Sequence, residues 1–128
     1  MPVSALRLRE VRDRLLDLHK ALLDAERARF EREHGRVESS GQWLQLVLGH
    51  EQFAWLRPFS GLIVRIDEWL ASDSPAIDEG EALWAAADRL TTVGEASDAS
   101  PEGLYGVLVD TVPAAAAQHA ALRAALRT

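Results

Sequence analysis

The chain has 128 residues, no cysteine and a formal net charge of −6. This length fits one domain, and the absence of cysteine excludes disulfides, thiolate catalysis and cysteine-ligated metal sites. The acidic balance argues against general nucleic-acid binding, which requires many phosphate contacts from lysine and arginine. The charged N-terminus is unlike a signal peptide, and no apolar run approaches the roughly 18 residues that span a membrane. We therefore expect a cytoplasmic protein without a transmembrane segment.

The first predicted helix covers residues 4–34. Ser4 is a favourable N-cap residue, and Gly35 is a typical glycine at a helix C-terminus. Apolar residues that alternate steps of three and four predict the seam of a helical bundle. That seam is Leu8, Val11, Leu15, Leu18, Leu22 and Ala25. A second ridge is expected to widen the buried stripe: Leu16, Leu23 and Phe30.

The second helix is predicted in two pieces, residues 40–49 and 58–72. Three of the four tryptophans lie in this part of the chain, so it should supply much of the core. The nearly continuous apolar run Trp43–Leu48 predicts a short helix that is buried on most sides. Arg57 precedes a proline and is biased away from helical dihedrals, whereas Pro58 suits the first position of the next helix.

Two further helices are predicted at 75–93 and 101–126, each begun by a Ser-Pro pair, with a polar loop at 95–99 between them. The inward face of the third helix is predicted to be Ile77, Leu83, Trp84, Ala87, Leu90 and Val93. Pro113 should kink the fourth helix because it removes a backbone hydrogen bond. Short loops imply antiparallel neighbours. The prediction is one all-α domain over 1–128: an antiparallel up-down four-helix bundle with an interrupted helix 2 and a Pro-kinked helix 4.

Metal and cofactor chemistry has weak support. His19 and His119 lie on apolar stretches of neighbouring helices, so a shared metal or haem site is geometrically conceivable; the alternative is two edge histidines with solvated or backbone-bonded nitrogens. A carboxylate-bridged di-iron site is rejected, because one Glu-x-x-His spacing occurs where two are needed, at Glu31–His34 near a helix end. No cofactor is predicted. No nucleophile elbow, phosphate loop or dinucleotide-binding glycine pattern indicates an enzyme.

The corner Trp55–Pro58 is the feature that a plain bundle would not need. A break in a bundle helix opens space beside it, and pockets between helices are common ligand sites. Arg57, flanked by Trp43 and Trp55, is a candidate to bind a carboxylate or phosphate. The alternative is that Arg57 caps the C-terminus of the short helix that ends at 48–50.

The segments Gly41–Leu46, Phe53–Ser60 and Ile63–Asp67 resemble small all-helical bacterial proteins to which no activity is assigned. The resemblance covers about residues 10–75 and implies no functional residues. We predict a non-enzymatic helical domain that acts through homo-oligomeric or protein–protein association. The alternative is a helical bundle that binds a small ligand, a metal or haem. The arginine-rich first helix is interpreted as a solvated face with intrahelical ion pairs, and contact with an acidic partner is the alternative.

Overall fold

The computed structural model describes residues 3–94 and 100–127. These residues form six α-helices and one short 3₁₀ helix, with no strand among them, which confirms the all-α class. Within the same ranges no helix has the length and hydropathy needed to cross a membrane. The polar loop predicted at 95–99 lies outside the described residues. The α-helices are α1 Ala5–His34, α2 Ser40–Gly49, α3 Arg57–Ala71, α4 Ile77–Leu90, α5 Pro101–Thr111 and α6 Pro113–Leu126, with the 3₁₀ helix at Glu51–Leu56.

The two ends of α1 follow from its capping residues. The Ser4 hydroxyl accepts a hydrogen bond from the Arg7 N–H at 3.2 Å, which satisfies one of the free amides of the first turn. Gly35 takes φ 91°, a conformation that L side chains rarely adopt, and its N–H donates to the Glu31 carbonyl at 3.0 Å. The chain leaves the helix at this glycine, as the sequence predicted.

The inner face of α1 is buried as predicted, except towards its C-terminal end. The first five seam residues have no exposed surface: Leu8, Val11, Leu15, Leu18 and Leu22. The prediction is wrong at Ala25, which is half-buried, because the stripe continues in steps of four from Leu22 through Glu26 to Phe30. The second ridge is also wrong at Leu16, whose side chain is 41% exposed.

Helix α3 runs antiparallel to α1. Asp67 accepts from Arg12 at 2.8 Å, the Phe59 ring stacks on His19, and the Trp55 indole, just before α3, donates to Glu26. Residue numbers therefore decrease along α3 in the direction in which they increase along α1, as expected for two antiparallel helices.

Helix α2 contradicts the prediction that it is buried on most sides. None of its ten residues is buried, although its composition is the most apolar of the helices. The physical reason is its position, because α2 packs mainly on the 3₁₀ helix and touches little else. Trp43 and Leu46 pack in part against the core, whereas Leu44 and Leu48 have no neighbouring helix against which to pack.

Helix α4 starts at Ile77, two residues later than predicted, and has no side-chain cap. The Ala76 carbonyl accepts a hydrogen bond from the Trp69 indole at 2.8 Å, which fixes this helix start against α3. Ile77 and Val93 were predicted to face inward but are 58% and 42% exposed. Both predictions are wrong because Ile77 is the first residue of the helix and Val93 lies beyond its end at Leu90.

The C-terminal part of the chain forms two helices separated by Val112, which has the extended dihedrals φ −112° and ψ 109°. Ser100 caps α5 by accepting from the Gly103 N–H at 3.0 Å. Pro113 begins α6, where its missing N–H leaves no intrahelical bond unmade. Helix α6 packs along α1 more extensively than any other pair of helices, and α5 folds back on α6.

Candidate functional surface

The three residues predicted to bind a ligand line separate cavities. Trp43 is half-buried in a groove against α1, Trp55 is buried beside Pro58, and Arg57 lies at a third cavity near the end of α2. The Arg57 guanidinium donates to the Leu48 carbonyl at 2.8 Å. This is the capping contact considered as its alternative role. Ligand binding by these residues remains a prediction, and the geometry does not bring them into one site.

His19 and His119 each contact a different aromatic ring. The His19 ring is stacked on Phe59, with the ring centroids 6.5 Å apart, and burial lowers the pKa of this imidazole. A short hydrogen bond of 2.6 Å joins Nδ1 of His119 and the Tyr105 hydroxyl. Burial and the charge of Arg123 both lower the pKa of His119, and burial raises that of Tyr105. The Tyr105–His119 pair is therefore neutral at pH 7.

A second pair of imidazoles lies where α1 ends. The ring centroids of His34 and His50 are 6.0 Å apart, and both rings pack on Phe30. The Nδ1 atom of His50 accepts the Gln52 N–H at 3.1 Å, so the neutral ring carries its proton on Nε2 and offers no second lone pair. In the described ranges no group of three or more histidine, aspartate or glutamate side chains could hold a metal ion.

An exposed apolar surface spans three helices. We call it the leucine surface, and four large side chains define it: Leu16 at 41% exposure, Leu44 at 57%, Leu48 at 67% and Val64 at 53%. Leu16, Leu48 and Val64 line two open grooves, one of about 490 Å³ between α1, α2 and α3 and one of about 520 Å³ between α1 and α2. Half-buried Leu23 lines both grooves and joins them, and Leu44 lies one turn from Leu48 on α2. Contiguous exposed apolar area of this kind marks contact sites in soluble proteins.

Both long edges of the leucine surface carry charged residues. The α1 edge presents Asp17 and Asp24 around Lys20, and all three line the groove beside Trp43, over whose ring Arg27 lies. The α3 edge presents Arg57, which lines the other groove, and exposed Arg65 and Glu68 near Val64. Helix α2 carries no charged residue. The surface is thus an uncharged centre between two edges of mixed charge, with two aspartates on the α1 edge and two arginines on the α3 edge.

Glu26 is a buried carboxylate that the sequence pattern did not reveal. It has no exposed surface, and its Oε2 accepts from the Trp55 indole at 3.4 Å and lies 3.5 Å from the Arg29 guanidinium. Its Oε1 and the Nε of Arg29 are buried without a hydrogen-bond partner among the described residues. Glu26 also fixes the corner from within, since its backbone carbonyl accepts from the Gln52 side chain at 3.1 Å.

The leucine surface was not predicted from the sequence, because the apolar pattern of α2 indicated a core helix. The available signal was the absence of any charged residue over the ten residues of α2. Comparison with protein-family models, with curated proteins and with solved structures gave no match to the chain. The geometry of the described residues therefore carries the functional argument.

Proposed function

We propose that this protein is a non-enzymatic association domain that pairs with a second copy of itself through the leucine surface. The observation that carries the proposal is the exposure of α2. Leu44 and Leu48 lie one turn apart on its outer face and are both more than half exposed. Burial of side chains of this size stabilises a contact by about 1.5–3 kcal/mol each when the exposed state is the reference. A partner that covers Leu44 and Leu48 would gain this free energy of burial.

The charge pattern favours a second copy over an unrelated partner. A two-fold axis in the contact plane and parallel to the grooves places the α1 edge of one copy opposite the α3 edge of the other. The aspartates of the α1 edge in each copy then face the arginines of the α3 edge in the other, so the same contact forms twice, as a two-fold contact requires. The Arg12–Asp67 pair and the His19–Phe59 contact put Arg65 about one helical turn from the level of Asp17 along the groove, within reach of an arginine side chain. The uncharged α2 helices would meet at the same end.

We also propose an antiparallel four-member arrangement for the chain itself, with α1, the interrupted member formed by α2, the 3₁₀ helix and α3, then α4, and α6, on which α5 folds back. The contacts of α1 with α3, α4 and α6 support it, as does the antiparallel course of α3 along α1. This arrangement leaves α2 outside the packed core. It therefore explains why the contact surface is available to a partner.

Sedimentation equilibrium across micromolar concentrations tests the pairing. We expect the wild-type protein to change from monomer to dimer in this range, and Leu48→Glu to weaken the dimer about tenfold or more, because a charge enters an apolar contact. Ile77→Glu is the matched control, since Ile77 is 58% exposed on α4 and lines neither groove. A wild-type protein that is strictly monomeric, or two variants with the same effect, would contradict the proposal.

A charge-reversal cycle tests the orientation of the two copies. Asp17→Arg should weaken the dimer because it places two cations opposite each other, and the addition of Arg65→Asp should restore part of the loss. If the second substitution deepens the loss instead, the copies do not pair about the proposed axis.

A further inference from the structure

A separate cavity of about 370 Å³ opens beside the corner, between α3, α4 and α5. We call it the corner cavity. Its walls are largely aromatic and aliphatic, from Trp55, Pro58, Phe59, Leu90 and Tyr105. This volume lies near the lower end of the range for sites that bind small molecules. The cavity shares none of its lining residues with the two grooves of the leucine surface.

The polar atoms of the two amphipathic rings are engaged elsewhere. The Trp55 indole N–H donates to Glu26 at 3.4 Å, and the Tyr105 hydroxyl is bonded to His119 at 2.6 Å. Both rings are buried, at 8% and 2% exposure. With these polar atoms committed to protein partners, the two buried rings contribute little accessible surface to the cavity, and most of it comes from exposed Pro58 and Arg89 and from half-buried Ala86 and Leu90. The body of a ligand must therefore be apolar, and the edges of the two rings favour an aromatic one.

The charge in the lining comes from Arg89, which is exposed in the last turn of α4. Among the residues whose side chains are described, 3–94, 100 and 103–127, no carboxylate forms an ion pair with it. An arginine fork binds a carboxylate through two parallel hydrogen bonds, which gives orientation as well as affinity. Because the corner cavity is mainly apolar and has one cation in its lining, it should select a ligand that has an apolar body and one anionic end.

We propose that the corner cavity binds a small aromatic carboxylate, with the ring against Pro58, Ala86 and Leu90 and the carboxylate on Arg89. This proposal does not depend on self-association, because its residues lie outside the leucine surface. A neutral analogue of the same shape would keep the ring contacts and lose the ionic hydrogen bonds. An amine of the same shape would meet the arginine charge and bind more weakly still.

The test uses 2-naphthoate as the probe and 2-naphthalenemethanol as its neutral counterpart. Calorimetric titration of the full chain should show saturable binding of the acid about tenfold tighter than of the alcohol. Arg89→Gln should bring the two affinities together, whereas Arg9→Gln, at an exposed position of α1, should leave them unchanged. In ¹⁵N spectra the Trp55 indole resonance should shift more than that of Trp69.

Two alanines of α4 supply a steric pair of variants that does not depend on charge. Ala86 lines the corner cavity and is half-buried, whereas Ala82 is exposed on the same helix and does not line it. Ala86→Leu should abolish binding of both probes, and Ala82→Leu should not, with thermal unfolding as the check that both variants fold. Saturable binding absent at millimolar probe, equal affinities for acid and alcohol, or binding that survives Ala86→Leu would each overturn the assignment.

Discussion

Gly80 is the position where the packing of α4 on α3 is tightest, and Gly80→Ala tests it. A methyl group at this position would lie 2.6 Å from Cζ2 and 3.0 Å from Cε2 of the Trp69 indole. The ring cannot move freely, because it is 5% exposed and its N–H is bonded to the Ala76 carbonyl at 2.8 Å. Overpacking of this kind costs about 1–3 kcal/mol. Alanine is favoured over glycine inside a helix by about 1 kcal/mol. Because an approach of 2.6 Å is far shorter than real Cβ contacts, the steric cost lies in the upper part of that range, at about 2–3 kcal/mol, and the expected net destabilisation is about 1–2 kcal/mol.

The control is Gly61→Ala, in the middle of α3, where an added methyl group has no atom within 4 Å. Here the helix preference acts alone, so the substitution should stabilise the protein by up to about 1 kcal/mol. Urea unfolding followed by tryptophan fluorescence, at a concentration that keeps all variants monomeric, gives both free energies. Opposite signs are expected for the two glycines. A Gly80→Ala protein as stable as the wild type would show that α4 does not lie against Trp69 as described.

Two further predictions concern Trp69 and the histidines. Trp69→Ala should lower the free energy of unfolding by about 3–5 kcal/mol in the same urea assay, and a loss below about 1 kcal/mol would refute burial of this ring. Because burial lowers the pKa of His19 and His119, the folded chain binds fewer protons than the unfolded chain near the ordinary histidine value. The contribution of these two histidines to the free energy of unfolding is therefore fully present above about pH 6.5 and is lost as the pH falls below that value. A His19→Gln/His119→Gln protein should lose most of that dependence, and an unchanged pH profile would assign it to other groups.

The sequence predicted those parts of the fold that depend on local signals. Ser4 and Ser100 act as N-caps and Gly35 ends α1, because capping depends on residues within one turn. The buried seam of α1 was predictable from Leu8 to Leu22, where the apolar spacing has one interpretation.

Other parts depended on packing that no local signal records. The stripe of α1 continues through Glu26 because the Trp55 indole and Arg29 provide polar partners there, and Trp55 is far away in the sequence. The exposure of α2 depends on which helices lie beside it. An apolar pattern indicates that a surface avoids water, but it does not say whether the same chain or another molecule covers it.

The candidate sites likewise combine features that have a local sequence signal with features that depend on tertiary packing. The corner was predictable from Arg57 and Pro58, and a cavity does open beside it. Arg89 and Tyr105 were not predictable as part of its lining, because α4 and α5 bring them there from distant parts of the chain. The hydrogen bond between Arg57 and Leu48 shows why that arginine is less available to a ligand.

Because α2 lies outside the packed core, its outer face can contribute to binding without contributing to the stability of the fold. Ser40–Gly49 contains no buried residue, so substitutions on this outer face should have little effect on the free energy of unfolding. Arg57 and the 3₁₀ helix would still hold the substituted helix at the same angle. The chain is thus a natural scaffold for selecting new binding specificities. A library confined to Leu44, Gln45 and Leu48 would vary one exposed face on an unaltered core, and it would keep the Gln42 side chain that accepts from the Glu38 N–H at the start of the helix.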